Sequence, residues 1–230
     1  MNQDSYPVPT PVQDSAARAK AFLNKVYMWL AASMLITAGV AAYTAQDINS
    51  LAWVAEHSLL LCLSTLGLVV IMSFAANKLS AGALTALLLV FAAVQGILFG
   101  PILVCYGLNS VGKAFGCTAA MFGAMSIYGT ITKRNLSTMG RTLFMLLIGL
   151  IVAGIINIFW GNSDFDIIVC CAGVVIFALF TAYDTQNLLK IGLSNDDSIK
   201  QKAAILGALN LYLDFINLFL YLLRLFDRDE

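Results

Sequence analysis

The sequence predicts an all-α membrane protein of seven transmembrane helices, and three features support this. Apolar residues make up 60% of the 230 positions and charged residues only 11%, with a mean hydropathy of +0.85. Soluble domains carry about 25% charged residues, so most of this chain must lie in a bilayer. Seven long apolar runs can be counted, at roughly 22–45, 58–76, 83–107, 113–131, 142–160, 166–188 and 204–226. A spanning helix needs about 20 apolar residues at about 1.5 Å rise each. The third feature is a polar stripe on the last run. Asn210, Asp214, Asn217, Tyr221 and Arg224 recur at spacings of 4, 3, 4 and 3 and share one helix face. Such a face is expensive against lipid, so this helix should be an inner one.

Taken in order, residues 1–20 are expected to be a disordered cytoplasmic tail, polar and proline-containing, ahead of one helical domain over 21–230. The tail does not read as a cleaved signal peptide. His57 is expected in the loop before the second run, alone and therefore no metal site. In the third run Gly96 and Gly100 form a GxxxG pattern followed by Pro101, which predicts close helix packing. Gly112 and Gly116 predict the same for the fourth run. The segment Lys190–Lys202 is the most polar loop. The five cysteines lie in or beside apolar runs without a C-x-x-C spacing, and read as small hydrophobes.

Orientation follows from the basic residues. With the N-terminus cytoplasmic, that side holds Arg18, Lys20, Lys25, Lys78, Lys133, Arg134, Arg141, Lys190, Lys200 and Lys202, whereas the other holds Lys113, Arg224 and Arg228. Ten against three places the N-terminus inside. Thirteen basic and thirteen acidic residues balance, which gives no basic surface for nucleic acid.

Two carboxylates are expected inside helices, Asp184 in TAYDTQ and Asp214 in LYLDFINLF. An ionised Asp at a membrane helix centre costs about 2.5–3.5 kcal/mol on insertion scales. Desolvation and a like neighbour both oppose ionisation, so a close pair tends to share one proton. Deprotonated, it repels itself and attracts a hard cation. The bland alternative is that each Asp bonds a neighbouring Asn, Tyr or backbone group.

These same residues resemble a known family. LYLDFINLF at 211–219 closely matches the signature of the Bax inhibitor-1 (transmembrane Bax-inhibitor-motif) family, and TAYDTQ at 181–186 matches its sixth helix. The stretch MFGAMSIYG at 121–129, with TKRNLS at 132–137, is similar to the bacterial inner-membrane branch. The resemblance covers nearly all of residues 20–226. It implies six helices around a central seventh, a multi-pass location in the bacterial inner membrane, and a pH-dependent calcium leak. Asp184 and Asp214 would be its sensor and gate, binding calcium transiently, with Tyr183, Asn210 and Asn217 lining the path.

In prokaryotic leak members an arginine near the cytoplasmic end of the second helix pairs with the aspartates. Here that region reads AANK, so Lys78 is the candidate latch, a point charge rather than a fork. No resident cofactor is implied. The implied partners are the lipid bilayer, calcium and protons.

Two other classes compete. An intramembrane aspartyl protease also uses two membrane aspartates, one in a Tyr-Asp dipeptide like Tyr183-Asp184. Its second aspartate follows a glycine that gives substrate room, whereas Leu211-Tyr-Leu-Asp214 is bulky, so no enzyme is expected. A non-transporting regulator of a membrane protease or stress pathway is also compatible with the resemblance, with that protease as partner.

Overall fold

The computed structural model describes residues 11–194 and 196–227; the side chains of residues 11–14, 197 and 198 lie outside the description. Every regular element among them is helical: α1 Pro11–Thr44, α2 Ile48–Phe74, α3 Ala81–Ile131, a 3₁₀ turn Leu136–Thr138, α4 Met139–Trp160, α5 Ser163–Gly192 and α6 Asp197–Phe226. Six helices are long and apolar enough to cross a membrane. Large apolar side chains such as Leu35, Phe74 and Phe159 stand outward, as lipid-facing residues should.

Local signals set the boundaries. Asp47 caps α2 by accepting from the backbone N–H groups of Asn49 and Ser50, and Asn162 caps α5 through Asp164 and Phe165. Gly161, at φ 59°, closes α4 in the left-handed conformation. The Asp47 cap starts α2 ten residues before the apolar run at 58. His57 is therefore helical rather than a loop residue, stacked on Trp53 at 4.6 Å. Helix α1 begins at Pro11, so the expected tail ends too late. Ala19 is already buried, its backbone close against Gly192. Residues 1–10 lie outside the described residues. The loop expected between Lys190 and Lys202 is mostly helix, because α5 runs to Gly192 and α6 starts at Asp197.

Helix α3 is 51 residues long, about 77 Å if straight, against a hydrocarbon core of about 30 Å. It breaks at Gly107, whose φ 72° and ψ 156° are non-helical and open to glycine alone. The first limb runs alongside α6, with Phe91 against Tyr212 and Phe99 against Phe219. In the second limb Phe115 and Phe122 both meet Phe215, and Gly129 packs against the Ala182 backbone of α5. The two limbs thus flank α6 at overlapping depths.

Gly96 and Gly100 pack as expected. A Cβ on Gly96 would lie 2.6 Å from Val40 Cβ, and one on Gly100 2.7 Å from Thr44 Cγ2. Gly112 and Gly116 do not pack: a Cβ there meets nothing within 4 Å. The same motif had two outcomes because only the first limb faces α1 through its glycines.

Helix α6 is the most enclosed element, 67% of its most apolar stretch being buried, against 6% for α2 and 11% for α4. Its Tyr212 hydroxyl lies 2.7 Å from Thr37 Oγ1, tying α6 to α1 in the core. Helix α4 rests on α5 and the 3₁₀ turn, and along its flank a groove runs beside α6.

Candidate functional site

The groove begins as a cavity of about 460 Å³ lined by α4, α5 and α6. Helix α5 contributes Asp184 and α6 contributes Asn210, Asp214, Asn217 and Tyr221. Helical spacing explains the α6 set, since residues three and four apart stack on one face. Asp184 lies eight residues before the end of α5 at Gly192, about 12 Å in. Helix α5 is unbroken through Thr185, Gln186 and Asn187, so Asp184 reaches the Asp214 level from a regular helical turn.

Asp214 is 5% exposed and its Oδ2 has no hydrogen-bond partner among the described residues. Asp184 is half-buried. An unpaired buried carboxylate oxygen is costly, so the site as built calls for a proton or a cation. Asn217 spends its amide N–H on the Leu213 carbonyl at 2.7 Å, which leaves its amide oxygen as its acceptor in the cavity. The donor set is oxygen throughout. Among the described residues no group of three or more His, Cys, Asp or Glu side chains converges on a metal position. Two carboxylates with two amides make an oxygen donor set of the kind hard cations take.

Two expected members lie elsewhere. Tyr183 does not line the cavity; its ring packs over Gly140 at the start of α4. Successive helix positions are about 100° apart, so the neighbour of Asp184 faces another helix. Lys78 is exposed on the turn after α2, and no ion pair among the described residues joins it to either aspartate. Lys202 fills that corner instead, its Nζ donating to the carbonyls of Ala76 and Asn77 at 3.3 and 3.4 Å.

A third carboxylate was missed. Ile151 is shared with a second cavity of about 350 Å³, lined also by Asn157, Asp166 and Arg224. Arg224 Nη2 lies 3.5 Å from Asp166 Oδ1, and Asn157 Nδ2 donates to that same oxygen at 2.9 Å. Asp166 sits in the first turn of α5, a favourable place for an acid, and the Asn162 cap four residues ahead was its signal in the sequence. The stripe from Asn210 to Arg224 therefore lines two adjoining cavities along one groove.

A bundle whose described regular elements are all helical, six of them long and apolar enough to cross a membrane, defines an integral membrane protein of the multi-pass type. The chain belongs to the Bax inhibitor-1 family: residues 19–230 match the family described as inhibitor of apoptosis-promoting Bax1. It is 40% identical over 230 residues to inner membrane protein YbhL of Escherichia coli K12, covering 97% of this chain and 98% of that protein. It is 41% identical over 216 residues to an uncharacterized protein of Deinococcus radiodurans, covering 93% of each, and 40% identical over 208 residues to one of Borreliella burgdorferi. Similarity to an inner membrane protein along nearly the whole chain supports a multi-pass membrane protein.

Proposed function

We propose that the protein is a passive, proton-regulated cation leak, with calcium as cargo and Asp184 and Asp214 as sensor and gate. The observation that carries this reading is the shared cavity: both aspartates and both asparagines line it, and Asp214 keeps a buried oxygen unpartnered among the described residues. At low pH the pair is protonated and closes through an internal hydrogen bond. At neutral or higher pH it ionises, repels itself and admits a hard cation. The two limbs of α3 each cross the bilayer, giving seven spans around a central α6, with the N-terminus cytoplasmic by the basic-residue count. No covalent chemistry is assigned to the aspartates, because Leu211, Tyr212 and Leu213 leave no glycine gap for a peptide substrate.

The deciding experiment is calcium flux into liposomes across pH 5 to 8. Wild type should pass more calcium at pH 8 than at pH 5, and Asp214→Asn should abolish that difference. An unchanged pH profile in Asp214→Asn removes the gate. No flux at any pH favours a non-transporting regulator of a membrane protease, which co-purification surviving the loss of both aspartates would support.

A further inference from the structure

At the end of the bundle where α5 meets the α3–α4 connection lies a cavity of about 490 Å³, within the usual range of about 300–1,000 Å³ for small-molecule sites. Four cations line it from three parts of the chain: Lys20 of α1, Lys133 and Arg134 of the connection, and Lys190 of α5. Among its described lining residues none is acidic. Four like charges around one hollow repel one another unless an anion joins them.

The walls are built rather than left to a loose loop. Gln186, 8% exposed, accepts from the Leu136 backbone N–H through Oε1 and donates through Nε2 to the Arg134 carbonyl, both at 2.8 Å. Lys190 Nζ donates to Asn135 Oδ1 at 2.8 Å and to Ser137 Oγ at 2.6 Å. These four bonds fix the connection against α5 and hold Lys133 and Arg134 at the rim. No ion pair with a described acid engages Lys20, Lys133 or Arg134. Beside the cations the lining turns apolar with Ala16, Leu189 and Leu193, and Leu193 is 51% exposed.

We propose that this cavity binds the phosphate headgroup of an anionic phospholipid. The phosphate would meet the Lys and Arg groups, and the start of the acyl chains would lie on Leu189 and Leu193. A basic pocket between spanning helices at the membrane face suits such a headgroup. The apolar shelf favours a lipid over free phosphate, which has nothing to place there. This site is separate from the aspartate groove and does not depend on the leak reading.

The test is native mass spectrometry of the full chain from mixed micelles containing cardiolipin or phosphatidylcholine, with inorganic phosphate as a separate arm. Wild type should retain cardiolipin over phosphatidylcholine. The combined Lys20→Gln, Lys133→Gln, Arg134→Gln variant should lose that retention by about tenfold or more, while Arg134→Lys and Lys133→Arg together keep most of it. Lys25→Gln, an exposed cation on α1 outside the cavity, should leave it unchanged. Equal retention in the triple variant, or an equal loss in Lys25→Gln, overturns the site. So does competition by millimolar inorganic phosphate with no preference for the lipid. A melting curve of each variant keeps loss of fold apart from loss of binding: should the triple variant fail to fold, retention in Lys133→Gln alone, expected lower than wild type, decides.

Discussion

Arg224 of α6 and Asp166 of α5 close one end of the groove whose other end holds Asp184 and Asp214. Their atoms are 3.5 Å apart, Asp166 being 13% and Arg224 50% exposed. A partly exposed pair of this kind adds little stability, about 0–1 kcal/mol. Its interest lies in where it sits: a guanidinium at the mouth of an oxygen-lined groove opposes the approach of a cation, and the carboxylate beside it cancels much of that field.

The two charges should therefore act in opposite directions on a cation leak. Arg224→Gln leaves Asp166 at the mouth and should raise calcium flux at pH 8, by up to roughly tenfold at low salt. Asp166→Asn leaves Arg224 and should lower it. Liposome flux at two ionic strengths checks both, and the difference should shrink as salt rises. Changes of the same sign in both variants would mark the pair as structural only.

The glycines give a paired stability prediction. A methyl on Gly96 would press on Val40 Cβ and on the Thr37 carbonyl, 2.7 Å away, and a backbone atom cannot turn aside. Gly96→Ala should therefore destabilise by about 1–3 kcal/mol. Gly116 meets nothing within 4 Å, so Gly116→Ala should be neutral or stabilising by up to about 1 kcal/mol, the helix-propensity gain. Melting temperatures in one detergent decide, and equal effects would refute the packing difference.

The contrast shows what was legible in the sequence. Composition and apolar runs indicated the helical class, and a 3.6-residue period put Asn210, Asp214, Asn217 and Tyr221 on one face, where a common cavity holds them. Asp184 joined them because an acid in an apolar helix needs a polar neighbour. What period cannot say is which helix lies opposite. Tyr183 and Lys78 depended on that, and so did Gly112 and Gly116. Asp166 was passed over because it stands at the start of an apolar run, where an acid looks like a helix-end residue rather than a partner for Arg224. The start of α2 was misjudged for the opposite reason, a short cap outranking a run of hydropathy.

Gln186 makes a sharper demand on the fold. Its side-chain amide satisfies the N–H of buried Leu136 and the carbonyl of Arg134. Gln186→Leu fills similar volume and leaves both backbone groups without that partner, which costs about 1–3 kcal/mol per buried group left unmade. The melting temperature should fall, and hydrogen exchange at residues 134–138 should quicken before exchange elsewhere in α5. Gln186→Glu retains the acceptor for Leu136 and loses the donor to Arg134, so it should fall between wild type and Leu. An unaltered exchange rate at Leu136 in the Leu variant would show that the clamp is not what holds the connection.

The cap at the start of α2 ties stability to pH. Asp47 accepts from Ser50 Oγ at 2.7 Å, from the Ser50 N–H at 3.0 Å and from the Asn49 N–H at 3.3 Å. The bonds to Ser50, side chain first, hold its carboxyl below the ordinary value of 3.8. A folded-state value below the unfolded one means that this stabilisation is fully present above about pH 4 and is lost as pH falls through the folded value. Asp47→Asn keeps a capping oxygen but removes the charge, whereas Asp47→Ala removes both. Wild type should melt a few degrees above Asp47→Ala at pH 7, and the gap should narrow below pH 4 as Asp47 protonates. The Asn variant should lie between the two at pH 7 and keep its distance from Ala as the pH drops. A gap between wild type and Ala that stays constant from pH 7 to pH 3 would mean that the charged carboxylate adds nothing to the cap.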